Sequence, residues 1–272
     1  MEVGTGVSGF APGDRVVADS RAPCGTCVQC RASRTNLCLS LGYVGEVCDG
    51  GFAEQVVLPA SLLLPFDRTL APEVAALAEP LAVALHAMKR LDPKSREPIL
   101  VAGGGPIGGL VALLLDHFGF GPVLLAEKQP RRRALLANAA RVRLAELTRE
   151  SIDHLTEGRP IRFAVEATGV GPVLDSLLDL VQGGARIAMV GIFHGAATIN
   201  ATAIVEREIE LKGCSVFADE QKEAVALLPA LAPRLASLVS APIALADVPG
   251  AYLDLIEGRA PALKTIVRPN GL

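Results

Sequence analysis

The stretch ILVAGGGPIGGLVALLLDHFGFGPVLLAE, residues 99–127, decides the fold of this chain. It begins with the apolar run Ile99–Ala102, which has the length and composition of a buried parallel strand. Glycines then follow at G-x-G-x-x-G spacing, and they are Gly103, Gly105 and Gly108. An apolar helix over 110–117 and a second strand over 123–126 complete a strand–helix–strand unit. This unit predicts an α/β domain built on a doubly wound parallel sheet.

Each glycine of this unit has a separate physical function. The first permits a tight turn from strand to helix, the second lets a pyrophosphate approach the backbone, and the third lets helix and strand pack closely. The helix N-terminus presents free N–H groups to phosphate, and Pro106 suits its first turn, where the missing N–H has no intrahelical partner. The unit therefore predicts dinucleotide binding. The alternative is a structural glycine-rich turn in another kind of α/β protein.

Glu127 ends the unit at close to the spacing of about 20 residues expected for a carboxylate that accepts hydrogen bonds from ribose hydroxyls. A 2′-phosphate would be repelled by this charge, so NAD is favoured over NADP. Lys128, Arg131 and Arg132 point the other way, because their charges can neutralise a phosphate.

Composition excludes several classes of protein. The chain has 272 residues, half of them hydrophobic, and a net charge of −3, which gives no reason to expect nucleic acid as a partner. Its first residues show neither the basic nor the apolar region of a secretory signal, and no apolar run approaches the roughly 20 residues that span a bilayer. We therefore expect a cytoplasmic protein that does not bind membranes.

A cluster of cysteines gives the second strong signal. It has the spacing C-x2-C-x2-C-x7-C and consists of Cys24, Cys27, Cys30 and Cys38. Four thiolates on one short loop match the closed tetrahedral coordination of a structural zinc. An iron–sulfur cluster is the competing interpretation, although the bacterial ferredoxin pattern has a different last spacer and a proline after it. Cys48 and Cys214 stand alone and are interpreted as small core or loop residues.

Polar residues elsewhere are weaker candidates. Glu79 is a carboxylate in an almost wholly apolar stretch, and it is either an acid at a helix N-terminus that faces solvent or a carboxylate near a metal or cofactor. His86 lies on an apolar helix and is interpreted as a core histidine. His194 is interpreted as a surface-loop residue, with proton relay as the alternative.

Further strands and helices alternate along the chain. The predicted strands cover 55–59, 161–166, 185–190, 210–214 and 263–267, and the predicted helices cover 130–143, 173–181 and 219–234. In open parallel sheets, ligands bind beyond the carboxyl ends of the strands. We therefore expect residues that follow two of these strands to lie at the nicotinamide end of the cofactor, and they are Thr168, Gly169, Val190, Gly191 and Ile192.

With these residues in place, the chain resembles the zinc-type medium-chain alcohol dehydrogenases, nearest the polyol, threonine and butanediol dehydrogenase branch. The segments that carry the resemblance are PCGTCVQC, DGGFAEQVVLP, AEPLAVALHA, VAGGGPIGG, EATG and MVGIF. The resemblance implies an NAD-binding Rossmann domain over 85–239. It also implies an incomplete GroES-like, β-rich catalytic domain over 1–84, with a zinc lobe over 21–40 and completed by 240–272.

The resemblance also assigns roles to residues. The adenosine and pyrophosphate of NAD would be lined by Gly103, Gly105, Pro106, Ile107, Glu127 and Arg132, and Val190 and Ile192 would touch the nicotinamide ring. The four cysteines would hold structural zinc, and Glu79 would lie beside the catalytic zinc. The implied partners are a small alcohol or ketone substrate and a second copy of the chain, in a dimer or tetramer.

One departure from the family bears on activity. The Cys and the Gly-His-Glu motif that supply most catalytic zinc ligands lie upstream of the segment that matches VGTGV here, so we expect a truncated form. Glu79 alone cannot hold a catalytic zinc, which needs about three protein ligands. Three functions stay open. The first is an NAD-dependent dehydrogenase of a secondary alcohol or polyol, the second a short form that binds NAD(H) as a sensor or partner subunit, and the third a zinc-independent reductase.

Overall fold

The computed structural model describes residues 2–271, which form two compact units. The first unit comprises residues 2–82, 218–260 and 264–271. The second comprises residues 83–217 together with the short segment Pro261–Leu263. Each unit is described by itself below.

The strands and helices are numbered in chain order. The strands are β1 (Val16–Ala18), β2 (Arg21–Ala22), β3 (Gly42–Tyr43), β4 (Leu63–Pro65), β5 (Ile99–Ala102), β6 (Val123–Ala126), β7 (Val142–Ala145), β8 (Ile161–Glu166), β9 (Val181–Met189) and β10 (Glu210–Gly213). The helices are α1 (Val28–Arg31), α2 (Pro72–Ala75), α3 (Ala78–Leu91), α4 (Pro106–His117), α5 (Pro130–Ala139), α6 (Arg149–Thr156), α7 (Gly171–Leu180), α8 (Ala201–Glu206), α9 (Gln221–Ala236) and α10 (Val248–Ile256).

The second unit is built on a parallel sheet of six strands in the order β10-β9-β8-β5-β6-β7. The chain winds outward from β5 through β6 to β7 and then returns to the other side of β5 with β8. This reversal makes the sheet doubly wound, and it confirms the predicted fold class. The strand order changes direction between β5 and β8, which is where such sheets bind ligands.

Apolar residues explain why β5 and β6 lie at the centre of this sheet. Every residue of both strands is buried, as expected for parallel strands that helices cover on both faces. Pro106 is the first residue of α4, in the position predicted for it, and nine of the residues of that helix are buried. The helix is apolar nearly all round because it packs inside the unit.

The predicted helix over 130–143 is wrong at its end. Helix α5 stops at Ala139, Ala140 adopts an extended conformation, and Val142–Ala145 forms β7 beside β6. An edge strand has only one neighbour and a partly exposed surface, so its sequence VRLA contains an arginine and lacks the apolar run of a central strand. The Ala- and Arg-rich sequence before it favours a helix and hides the boundary.

Two predicted strands do not form. Residues 55–59 are irregular, and the Val57 side chain is 96% exposed, because no strand among residues 2–271 pairs with this segment. The predicted last strand, over 263–267, makes only isolated bridges, Val239 with Lys264 and Ile243 with Val267.

The first unit contains two small antiparallel sheets, β1 with β4 and β2 with β3. Helix α9 packs against α2 of this unit, and its buried face carries Leu228, Leu231 and Leu235. The structure therefore groups residues 218–239 with the first unit, whereas the sequence division placed them in the cofactor domain.

Two arginines cap the C-terminal end of α7 in the second unit. Arg207 Nη1 donates to the carbonyl oxygen of Leu178 at 2.6 Å, and its Nη2 donates to that of Val181. Arg149 Nη1 donates to the carbonyl oxygen of Leu180 at 2.9 Å. The last carbonyls of a helix have no intrahelical donor, so these guanidinium groups satisfy them.

We predict that Arg207→Met lowers the free energy of unfolding by about 2 kcal/mol, because buried carbonyls lose charged donors. Arg162→Met is the matched control, since Arg162 is exposed and its nearest carboxylate oxygen, on Glu97, lies 3.8 Å away. Thermal unfolding followed by circular dichroism measures both variants. Equal stability of the two would contradict the capping role.

Candidate functional site

A cavity of about 470 Å³ opens where the strand order of the second unit reverses. Seven residues that the sequence singled out line it, and they are Gly103, Gly105, Pro106, Glu127, Lys128, Arg132 and Thr168. Residues after β7, Glu146 and Leu147, also line it. Sequence reasoning missed these two because it read β7 as part of a helix.

The three glycines of the spacing differ in what surrounds them. A Cβ on Gly108 would lie 1.9 Å from the carbonyl oxygen of Gly103, so helix and strand can approach only without it. Gly103 has φ +97°, and a Cβ there would lie 2.8 Å from Cγ2 of Thr168. Gly105 caps α4 and faces open space, since a Cβ would meet only Arg132 Nη1, at 3.9 Å. Gly108 therefore has the surroundings expected for close packing, Gly103 those expected for the tight turn, and Gly105 those expected for facing the phosphates.

Gly104 is a tightly constrained residue of the turn that the sequence did not single out. Its N–H donates to Oε2 of Glu127 at 2.8 Å. A Cβ at this position would lie 2.9 Å from Leu136 Cδ1 and 3.0 Å from Cβ of Glu127. In a run of three glycines, nothing in the local sequence marks the middle one. Glycine is required there because the Glu127 side chain, which follows β6, packs against it.

The Glu127 carboxylate lies at the carboxyl end of β6 and is 9% exposed. Besides Gly104, it accepts from the N–H of Gln129 at 2.7 Å, and Arg132 Nη1 lies 3.9 Å from Oε2. An ionised carboxylate has about four acceptor positions, so it keeps capacity for hydroxyl donors from the cavity.

The loops after β8 and β9 lie side by side. The N–H groups of Val190 and Gly191 both donate to the main-chain oxygen of Glu166, at 2.9 and 3.1 Å. Gly169 has φ +67°, and a Cβ there would lie 2.1 Å from the carbonyl oxygen of Ile192. The Ile192 side chain is 79% exposed, which leaves an apolar surface at this end of the sheet.

The four cysteines come together in the first unit. Their sulfurs all lie within 4.8 Å of one another, with Cys24 Sγ 4.0 Å from Cys30 Sγ and Cys27 Sγ 4.0 Å from Cys38 Sγ. A tetrahedral zinc with Zn–S bonds of about 2.3 Å separates its sulfurs by about 3.8 Å. The residues present therefore fit a structural zinc.

Backbone N–H groups surround these sulfurs. The N–H of Cys27 donates to Cys24 Sγ at 3.4 Å, and that of Cys30 donates to Cys27 Sγ at 3.5 Å. Hydrogen bonds from Thr26 and Cys27 lower the pKa of the Cys24 thiol to about 6. Such donors stabilise thiolates, which are the form that binds metal.

Glu79 lies on a second, smaller cavity of about 250 Å³ in the first unit, which Val17, Phe66 and Ala75 also line. The Ser20 hydroxyl donates to its Oε1 at 3.4 Å. Burial raises the pKa of this carboxyl group, and the nearby charge of Lys264 opposes the shift.

Among residues 2–271, the cysteine cluster is the one group of three or more His, Cys, Asp or Glu side chains whose ligand atoms converge. The donors around Glu79 therefore do not fit a catalytic zinc. Within the same part of the chain, no helix combines the length and apolar character needed to cross a membrane.

Comparison with known proteins adds to this geometry. The family model for the alcohol dehydrogenase GroES-like domain matches residues 1–68, and the model for zinc-binding dehydrogenases matches residues 106–230. The L-threonine 3-dehydrogenase of Shewanella frigidimarina is 32% identical over 219 residues, and that of Paraburkholderia phytofirmans is 31% identical. The matches cover 78% of this chain and 63% of each relative, so the chain spans less than two thirds of these proteins.

Solved structures give the same result. The 2R,3R-butanediol dehydrogenase of Bacillus subtilis is 27% identical and superposes with a TM-score of 0.85, over 99% of this chain and 78% of the other. A Sinorhizobium meliloti protein solved bound to NADP is also 27% identical, with a TM-score of 0.86 over 98% of this chain and 80% of the other. With the glycine turn, the doubly wound sheet and the cysteine cluster, these likenesses confirm the resemblance read from the sequence. The chain belongs to the zinc-type medium-chain alcohol dehydrogenase family.

Proposed function

We propose that this chain binds NAD(H) in the cavity of its second unit and acts as an oxidoreductase that interconverts a secondary alcohol or polyol and its ketone. The observation that carries the proposal is the glycine turn, in which Gly105 leaves open space beside the first turn of α4 while Glu127 lies at the end of β6. NAD, when bound, accepts or gives up a hydride.

The residues of the cavity have separate tasks in this proposal. The backbone of Gly103, Gly105, Pro106 and Ile107 receives the pyrophosphate at the helix N-terminus, where N–H groups are free. Glu127 accepts hydrogen bonds from the adenosine ribose, and the Arg132 side chain lies beside the phosphates. Gly108 acts indirectly, because its missing side chain lets the turn form.

The nicotinamide half would lie against the loops after β8 and β9. Thr168 and Gly191 give it backbone and hydroxyl contacts, and Val190 and Ile192 give it an apolar surface. The 79% exposure of Ile192 supports this role, because an exposed apolar side chain at the end of a parallel sheet is suited to cover a planar ring.

The substrate class is proposed from the relatives, whose names include L-threonine 3-dehydrogenase and 2R,3R-butanediol dehydrogenase. Both names denote enzymes of secondary alcohols. Glu79, which lines an apolar cavity in the first unit, is proposed as the carboxylate nearest the reacting alcohol. A homo-oligomer and a cytoplasmic location stay predictions.

One observation favours a second candidate function. No group of converging donors in residues 2–271 fits a catalytic zinc, whereas the dinucleotide cavity has its glycine turn and its carboxylate. The chain would then bind NAD(H) without rapid alcohol oxidation, as a sensor or a partner subunit.

Zinc content separates the two candidates. We expect about one zinc per chain by elemental analysis, bound by the cysteine cluster. Cys38→Ser should lower that content, and Cys48→Ser, on an exposed cysteine outside the cluster, should leave it unchanged. About two zinc ions per chain, together with turnover of a secondary alcohol, would favour the active dehydrogenase instead.

Two glycine variants test the cavity. Gly105→Ala should leave the melting temperature within about 2 °C and weaken NADH binding at least about tenfold, because its methyl group fits the free protein but occupies the place of the pyrophosphate. Gly108→Ala should lower the melting temperature by about 5 °C, because its methyl group meets the Gly103 carbonyl. Fluorescence titration and calorimetry give both values. Tight NADH binding by Gly105→Ala would refute this position for the pyrophosphate.

Cofactor preference tests Glu127. We expect NADH to bind at least about tenfold more tightly than NADPH, since the carboxylate repels a 2′-phosphate, and Glu127→Gln should reduce that ratio. Glu150→Gln removes an equal charge from an exposed position on α6 and should leave the ratio unchanged. A wild-type preference for NADPH would show that Arg132 and its neighbours dominate the site.

A further inference from the structure

The carboxylate of Glu166 is fully buried, and no role proposed above uses it. The residue is the last of β8, next to the strand-order reversal where the cavity opens. Burying a carboxylate is costly unless donors satisfy it, so its partners show which part of the protein it holds.

Among residues 2–271, the hydrogen-bond donors to this side chain belong to the loop after β8. Oε1 of Glu166 accepts from the N–H of Thr168 at 2.7 Å, from the N–H of Gly169 at 3.0 Å, and from the Thr168 hydroxyl. Hydrogen bonds to a charged acceptor are stronger than neutral ones. The carboxylate therefore fixes both the backbone of this loop and the rotamer of Thr168.

The same residue also holds the loop after β9. Its main-chain oxygen accepts from the N–H groups of Val190 and Gly191, and a Cβ on Gly191 would lie 2.5 Å from its Oε2. The carboxylate thus packs directly on the backbone of Gly191. Both loops at the nicotinamide end rest on Glu166.

The hydrogen bonds of the Thr168 hydroxyl determine whether it can donate or accept further hydrogen bonds. Its hydroxyl gives its only proton to Glu166 and accepts from the N–H of Val170 at 3.1 Å. A hydroxyl has one proton and two lone pairs, so one lone pair remains. Thr168 lines the cavity, so any hydrogen bond that its hydroxyl makes there is accepted and not donated.

We propose that Glu166 is a positioning residue for the nicotinamide half of the dinucleotide, which aligns the loops after β8 and β9 and makes the Thr168 hydroxyl an acceptor for a donor group of that half, a ribose hydroxyl or the carboxamide N–H. This inference rests on the proposed binding of NAD(H). It adds a fully buried residue that would act on the nicotinamide half through Thr168 and the two loops.

Comparison of NADH with ADP tests the proposal, because ADP carries the adenosine and two phosphates but lacks the nicotinamide half. Both ligands are titrated into the full chain, NADH by nicotinamide fluorescence and ADP by calorimetry. The variants are Glu166→Gln, which keeps the shape but removes the charge, and Thr168→Val, which removes the hydroxyl. Glu150→Gln, on exposed α6, is the matched control for loss of a carboxylate.

We expect both variants to weaken NADH binding about tenfold and to change ADP binding less than about twofold, while the control changes neither. Equal weakening of NADH and ADP would show a general structural role and overturn the proposal, as would unchanged NADH binding. If Glu166→Gln does not fold, Thr168→Val decides by the same comparison. A wild-type chain that binds neither ligand would instead refute the proposed function itself.

Discussion

The approach of Gly108 to the carbonyl of Gly103 is the constraint on which the second unit depends. A single methyl group at Gly108 would lie 1.9 Å from that oxygen, so the first turn of α4 can pack against the end of β5 only if residue 108 has no side chain. The same turn brings Gly103 against Thr168 and lets Glu127 close on Gly104. The N–H groups of the helix, the acid after β6 and the loop after β8 therefore converge because one helix starts close to one strand.

The central part of this fold could be predicted because its signals are local. Apolar runs such as Ile99–Ala102 are long enough to identify buried strands, and the glycine spacing identifies the turn after β5. The edge of the sheet could not be predicted in the same way. Strand β7 has one neighbour and a mixed sequence, and the segment predicted as a strand over 55–59 has no partner strand among residues 2–271. Strand formation depends on a neighbour that composition does not reveal.

The candidate site residues likewise differ in whether local sequence could predict them. The cysteine cluster was identified in full because its ligands lie within one loop, where spacing alone limits the geometry. The constraints on Gly104 and Glu166 were not predicted, because each depends at least in part on a segment that is distant in sequence. Gly104 is constrained by Glu127, and Glu166 joins the loops after β8 and β9. One signal was available for Glu166, since a carboxylate at the end of a buried strand needs partners.

The proposed cofactor binding and the proposed alcohol chemistry depend on different units of this chain. All contacts of the dinucleotide cavity lie within the second unit, while the cysteine cluster and Glu79 belong to the first. The criterion that supports a structural zinc, converging donors at metal-binding distance, is met by four sulfurs and is not met around Glu79. The Glu79 carboxylate, which accepts a hydrogen bond of 3.4 Å from Ser20, cannot by itself replace a metal that polarises an alcohol. The residues for dinucleotide binding can thus be complete while the residues that would activate the alcohol are incomplete. Binding and turnover therefore require separate measurements.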